Sequence, residues 1–280
     1  MNNTGILYVV ATPIGNLEDI TIRALRILKE VDFILCEDKR VTVKLLSKYD
    51  IKTRLISFHK FNEEKNKEYV LKLLNSGNNI ALVSDAGTPL VADPGGALIS
   101  FLLSNNIRAI PIPGPSSLVT ALSMLPIEIK EFLFIGFLPD QKSKRKEILD
   151  SLEDRTKLVI IFLPPHDIEK YVNEINDIYP RVRIFYAREL TKINEEFWIG
   201  EINELKEIIK NKRFRGEIIL GIIFDSKKNI VVDEKELFKM IESLLSNGSS
   251  LKEASKTIGN KLNLSKSEIY NSYIKKKKAS

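Results

Sequence analysis

Residues 80–96, IALVSDAGTPLVADPGG, constrain the fold more than any other part of the chain. The run from Ile80 to Val83 follows the turn pair Asn78 and Asn79 and is continuously apolar, the pattern of a strand buried on both faces. Beyond Asp85 come Gly87, Pro89, Pro94, Gly95 and Gly96. Prolines remove main-chain donors and fix φ, whereas glycines admit φ above zero and close approach of the backbone, so the segment is an irregular, shaped loop. In open parallel sheets ligands sit just beyond the carboxyl ends of the strands, which is where Asp85 falls. An ordinary connection with a capping acid has the same composition, and the rest of the chain must separate the two.

The surrounding sequence repeats one beat. A strand ends near Ala11, and ITIRALRILKE follows as a helix with Ile22, Leu25 and Leu28 on one face. Strands predicted at residues 33–36, 55–58, 80–83 and 107–112 then alternate with helices at 43–48, 64–75, 97–104 and 117–124, which implies a parallel or mixed sheet flanked by helices. Near Pro126 the pattern restarts. FLFIGFLP, KLVIIFLPP, RVRIFYAREL, EEFWIGEI and GEIILGIIF read as strands, with helices in KSKRKEILDSLED and DIEKYVNEINDIYP. The expected organisation is an α/β domain over 1–125, a second α/β domain over 126–230 and a basic helical segment over 231–280.

In that last segment, DEKELFKMIESLLSNG has a capping acid, an apolar face of Leu237, Ile241, Leu244 and Leu245, and a closing Gly248. A serine start then opens a helix to about Leu262, and after a turn at Asn263 and Leu264 a second helix is expected from Ser265. This is the grammar of a helix-turn-helix, and equally of two helices capping a domain. The net charge of +6 resides here: the eight lysines of residues 249–280 face only Glu253 and Glu268, while the 35 basic and 35 acidic groups before them cancel. A localised basic tail is either a solvated end or the footprint of a polyanion.

Other classes are disfavoured. Cys36 is the only cysteine, which excludes an intramolecular disulfide framework and reads as a core thiol; with no signal peptide or spanning apolar segment, the expectation is a cytoplasmic protein without a membrane partner. His59 and His166 lack metal-ligand spacing, so no metal is expected. No Gly-x-Gly and no Gly-Lys-Ser/Thr occurs, which argues against dinucleotide and P-loop sites.

Four loops follow strand ends in the first domain, ATPIGNLED, CEDKR, VSDAGTPLVADPGG and PIPGPSS, and they would gather on one edge of a sheet. Together with TPIGNLEDITIRAL, GFLP before a basic helix, RELTKINEE and GEIIL, in this order over nearly the whole chain, they resemble the bacterial ribosomal RNA small-subunit methyltransferase I family. These are cytidine 2′-O-methyltransferases of the tetrapyrrole-methylase superfamily. Lys39 stands where that family usually has Thr, and Val91-Ala92 replace a more typical Ile-Ser.

The resemblance implies two α/β domains of the tetrapyrrole-methylase type with a cleft between them for S-adenosylmethionine, a small C-terminal helix-turn-helix segment, a 16S ribosomal RNA substrate and a homodimer. By motif matching, Pro13, Ser84, Asp85, Leu90, Val91, Ser116 and Ser117 would line the donor site from the first domain, and Leu163 and Ala187 would close it. An acid at Asp85 suits the donor's ribose hydroxyls or α-ammonium. Glu189 is the candidate proton acceptor, or its organiser, with Arg188 or Lys192 on phosphate; a structural ion-pair cluster is the competing account. Arg40, the helix residues Lys142, Lys144, Arg145 and Lys146, and the tail lysines Lys275 and Lys276 are the candidate RNA contacts. Two alternatives stay open: a tetrapyrrole-precursor methyltransferase, and a non-enzymatic ligand-sensing regulator that binds DNA.

Overall fold

A computed structural model describes residues 4–152, 156–210, 212–224, 234–246, 248–262, 269–270, 273–274 and 276–277. The chain divides into two compact units, Met1–Ile223 and Phe224–Ser280.

Unit 1 contains two five-stranded sheets. In the first, β1 (Leu7–Val10), β2 (Phe33–Cys36), β3 (Arg54–Ser57), β4 (Ile80–Leu82) and β5 (Ala109–Ile112) lie in the order β3-β2-β4-β1-β5, and every pair is parallel. The continuous apolar runs follow from burial on both faces. On one face Val10, Ile34, Cys36 and Ala81 pack under α1 (Ile22–Glu30) and α2 (Lys39–Lys48). On the other, Leu7, Leu35, Ile80 and Leu82 pack under α3 (Glu63–Asn75) and α4 (Gly96–Ser104). Each such aliphatic side chain contributes about 1.5–3 kcal/mol by leaving water. Cys36 is fully buried, and burial pushes its thiol above the ordinary value. Because the strands are parallel, the loops after β1, β2, β4 and β5 all leave the same edge.

The second sheet is mixed. β6 (Leu133–Phe137), β7 (Leu158–Leu163), β8 (Arg183–Arg188), β9 (Glu196–Glu201) and β10 (Ile218–Ile223) are ordered β6-β7-β10-β8-β9, with β6 and β7 parallel and the other neighbours antiparallel. Its helices are α6 (Lys142–Asp150), α7 (Ile168–Ile178) and α8 (Ile202–Lys210). The two sheets share a core through α5 (Ser117–Leu122), whose Leu118, Ala121 and Leu122 pack among Leu158, Ile160, Phe185, Ala187 and Ile219. That shared core holds the loop edge of the first sheet against the second. No described helix is long and apolar enough to cross a membrane.

In unit 2, α9 (Glu234–Ser246) and α10 (Leu251–Leu262) bury Leu237, Ile241 and Ile258 with Ile269 and Tyr273. Gly248, at φ +85°, ends α9, and the Ser249 amide donates back to Leu244 O (3.0–3.1 Å bonds at both residues). The amide of Ser250 donates to Glu253 while Glu253's amide donates to Ser250 Oγ, a reciprocal cap that starts α10. The expected capping acid Asp233, the turn at 263–264 and the start at Ser265 lie outside the described residues.

Candidate active site

Three of the four loops are tied into one wall. The Thr12 and Gly87 backbones exchange hydrogen bonds of 2.9 and 3.0 Å, Thr12 Oγ1 donates to Ser84 O, and Thr88 Oγ1 donates to Pro115 O at 3.1 Å. The loop after β2 braces them from behind. There Asp38 caps α2 by accepting from the Arg40 amide, and its own amide donates to Asp85 Oδ1 at 3.0 Å. Leu90 (φ 75°) and Ala92 (φ 65°) are held in the left-handed region without being glycine, strain that a loop keeps only where its surroundings over-determine it. Gly15 marks the joint with the second sheet: a Cβ there would come within 2.5 Å of Lys192 Cγ and 2.8 Å of Thr191 Oγ1. The Asn16 amide donates to Thr191 Oγ1 across the same joint.

Between this wall and the second sheet lies a cavity of about 490 Å³, within the range of about 300–1,000 Å³ typical of small-molecule sites. Of the residues expected to hold a donor, Asp85, Val91, Ser116, Ser117, Leu163 and Ala187 line it. Pro13, Ser84 and Leu90 do not. Pro13 is buried beside the Thr12–Gly87 bridge, Ser84 Oγ turns to Ala86 O at 3.1 Å, and Leu90 sits with its Cδ2 near Gly95. Their role is to shape the loop. Residues that sequence reasoning passed over complete the lining, notably Ile14, Asp93, Leu118, Phe137, Phe162 and Glu217.

The titratable groups that line the cavity are all acids: Asp85, Asp93 and Glu217. Burial pushes the Asp93 carboxyl up to about 6; the Ser84 hydroxyl opposes this by hydrogen bonding, while Glu37, Asp85 and Glu217 add to it. Glu37 is raised too, by burial and then by Asp85. Of these acids, Asp85 and Asp93 are in no ion pair among the described residues.

The second sheet does the reverse. Glu189 pairs with Lys192 (2.9 Å) and accepts from the Glu217 amide (3.1 Å), and the Lys192 bond leads the effects that lower its pKa. Arg188 is spent on Glu196 (3.1 Å) and on the carbonyls of Arg215 and Asn194. Burial works to raise Glu196, yet bonds from Lys212, Tyr186 and Arg188 hold it below its usual value. None of Arg188, Glu189 and Lys192 lines the cavity, and each is held in an ion pair, as the competing account of a structural cluster expects. Glu189 instead packs on Gly216, where a Cβ would fall 2.1 Å from its Oε1, and Gly216 does line the cavity. The ion-pair cluster thus fixes a wall.

Arg145 is committed in the same way. Its side chain is 2% exposed, and its guanidinium grips Glu174 at 2.5 and 2.7 Å and the carbonyls of Pro139 and Asp140 at 2.8 Å each, over the Tyr171 ring. It anchors α6 to α7 and offers nothing to RNA. Lys142, Lys144 and Lys146 are exposed, Lys146 pairing with Asp150, and Arg40 is exposed while paired with Asp38. Lys276 stacks on Phe238, and Lys275 lies outside the described residues.

Residues 6–206 match the family described as Tetrapyrrole (Corrin/Porphyrin) Methylases. A relative from Bacillus subtilis (strain 168), named ribosomal RNA small subunit methyltransferase I, is 38% identical over 279 residues, covering 97% of this chain and 95% of its own. One of the same name from Rickettsia prowazekii is 40% identical, covering 97% of both chains. The chain belongs to the ribosomal RNA small subunit methyltransferase I family of tetrapyrrole methylases. Within that methyltransferase family a relative from Thermotoga maritima is 42% identical over 214 residues, which are 96% of its own chain but 76% of this one. It is therefore too short to carry a counterpart of every residue here. Among solved structures, uroporphyrin-III C-methyltransferase from Thermus thermophilus, complexed with S-adenosyl homocysteine, matches with TM-score 0.57 and 18% identity over 78% of this chain and 97% of its own. A cobalt precorrin-4 methyltransferase matches with TM-score 0.59 and 16% identity over 77% of this chain and 93% of its own, and both show the methylase fold.

Proposed function

We propose that the protein is a ribosomal RNA small-subunit methyltransferase that transfers a methyl group from S-adenosylmethionine to the 2′-hydroxyl of a cytidine in 16S RNA. The observation that carries this is a full-length match to the methyltransferase I family combined with a cavity whose titratable groups are acids. The donor is a sulfonium and an ammonium ion at once, and when bound it supplies an electrophilic methyl group. The residues fit it. Ile14, Leu118, Leu163, Ala187 and Ile219 offer an apolar slot for a purine, and Asp85 and Asp93 offer ionisable acceptors for the cationic and hydroxyl groups. Packing against both walls excludes water, and the tied loops hold their geometry in advance.

In this reading the two sheets of the unit Met1–Ile223 would form the cores of donor-binding domains expected over 1–125 and 126–230. RNA phosphates would meet Lys142, Lys144 and Lys146 on α6, Arg40, and tail lysines including Lys276, with register set by charge neutralisation. The reduced, buried Cys36 suits a cytoplasmic enzyme. We further propose a homodimer, for which exposed apolar side chains at Val119 and Met124 offer area; a single sedimenting species at the monomer mass of 31.9 kDa across concentrations contradicts it.

The test is transfer of labelled methyl from the donor to small-subunit RNA, free and in assembled particles, followed by mass-spectrometric mapping. A single 2′-O-methylcytidine is the expected product. Label absent from RNA in both forms refutes the assignment.

A further inference from the structure

We infer that the carboxylate of Asp93 is the group that takes the proton from the acceptor hydroxyl during methyl transfer, an inference that rests on the methyltransferase reading above.

The cavity presents three carboxyl groups, and two already hold partners, Asp85 keeping one oxygen for the donor. Asp85 Oδ1 accepts the Asp38 amide at 3.0 Å and holds the loop after β2 in place. Glu217 stands at the rim, 72% exposed, 3.3 Å from Lys192. Glu189, the acid first expected to act as the base, faces away from the cavity onto Lys192 and the Glu217 amide. Asp93 differs from all of them. It lines the cavity half-buried and forms no ion pair among the described residues, and it is carried by a loop held at left-handed φ in Leu90 and Ala92. Ala92 also approaches β6, its Cβ lying 3.9 Å from where a Cβ on Gly136 would sit, so the loop crosses toward the second sheet and Asp93 stands between the walls.

The groups that face Asp93 are Ser84 and Asp85 after β4, Glu37 after β2 and Glu217 before β10. The three charged ones are acids, so no cation among the described residues neutralises Asp93, and its raised pKa of about 6 gives it more proton affinity than an ordinary carboxylate while leaving it ionised at neutral pH. As the new bond between oxygen and methyl carbon forms, the methyl–sulfur bond breaks with its electron pair remaining on sulfur. The hydroxyl proton passes to an Asp93 oxygen and leaves from there to solvent. Ser84, turned from the cavity with its hydroxyl on Ala86 O at 3.1 Å, is the positioning residue: it lies beside Asp93 and keeps the pKa from climbing further.

The experiment compares wild type, Asp93→Asn and Ser84→Ala. In single turnover at saturating donor and RNA, Asp93→Asn loses about 10²- to 10⁴-fold in rate, with S-adenosylhomocysteine affinity by calorimetry within about threefold of wild type, since the product has lost the sulfonium charge that Asp93 faces. The wild-type rate falls tenfold per pH unit below an inflection near 6, a limb missing from Asp93→Asn and moved to higher pH in Ser84→Ala. A second readout needs no RNA. At pH 6 the wild type releases part of a proton when it binds the sulfonium donor, because the cation drives Asp93 to ionise, and Asp93→Asn releases less; titrations in buffers of different ionisation heat measure this. A variant rate within tenfold of wild type, lost donor affinity with an unchanged saturated rate, or identical proton release overturns the assignment of Asp93. A wild type that releases the proton yet methylates neither free RNA nor particles overturns the substrate reading instead.

Discussion

The two walls of the cavity handle charge in opposite ways. On the first, Asp85, Asp93 and the nearby Glu37 gather at the carboxyl edge of a parallel sheet in no ion pair among the described residues, and burial first, then the neighbouring acids, raises Asp93 and Glu37. On the second, the half-buried acids among the described residues have their cations: Glu174 has Arg145, Glu189 has Lys192, and Glu196 has Arg188 and Lys212. Paired charges hold the fold together and have nothing left for a ligand. Uncompensated acids weaken the free protein and are neutralised only when a cation arrives. On the proposed function, the first wall would meet the donor's charged groups, while the second would supply apolar surface and scaffold.

The largest expected effect lies on the scaffold side. Arg145→Ala leaves the half-buried Glu174 unpaired and two carbonyls without their donor, and should cost about 3 kcal/mol of stability, read from denaturant midpoints. A loss below about 1 kcal/mol would mean that the pair is incidental. Gly216→Ala comes next. It must adopt φ near +80° and displace the pinned end of Glu189, so about 2–3 kcal/mol is expected together with weaker donor binding, because Gly216 lines the cavity.

Asp93→Asn should act with the opposite sign. Its folded pKa is raised, so the fold is favoured with Asp93 protonated; that advantage is present in full below the ordinary carboxylate range and is lost as pH rises through about 6. At pH 7.5 the amide should therefore stabilise the unliganded protein, by about 1 kcal/mol once partial exposure is allowed for. At pH 4 the two proteins should melt together. A variant less stable at both pH values would break the contrast between the walls.

Much of the first wall was legible because its signals are local. Strand β2 falls on the predicted residues 33–36, and the glycines and prolines of the loop after β4 announced a shaped segment. The second wall was less legible. Arg145 sits in a run of lysines that reads as a solvated face, and only its spacing of four from the buried Leu149 betrays that it points inward. Helix α8 was not expected, since Ile202 follows Glu201 of β9 with no glycine or proline between them, though Ile202, Leu205 and Ile209 recur at helical intervals. Asp93 lay inside the quoted loop but without a strand end to single it out, and left-handed φ at Leu90 and Ala92 has no signature in residues that are not glycine. Which acids find cations is a matter of long-range packing, as in the pairing of Arg145 with a partner 29 positions away.

Unit 2 sharpens the account with the smallest expected effect on the donor. Every cavity residue lies in unit 1, and the 214 residues aligned with the Thermotoga maritima relative are 96% of that chain but 76% of this one. Removing residues 224–280 should leave donor affinity within about twofold while the slope of log RNA affinity against log salt falls by about two to four, as expected for two to four lost phosphate contacts. An unchanged slope in a folded truncation would make the basic tail a solvated end. A lowered melting point with both affinities reduced would make it a cap.

The division of labour between the walls is tested most directly by calorimetric titration of S-adenosylmethionine into wild type, Asp85→Asn and Glu189→Gln at pH 7.5. One donor per chain is expected in wild type. Affinity should fall by about 10- to 100-fold in Asp85→Asn, the loss of a charge-assisted contact, and stay within about threefold in Glu189→Gln, whose carboxylate is committed to Lys192. Equal affinities for wild type and Asp85→Asn, or a larger loss in Glu189→Gln than in Asp85→Asn, would contradict it.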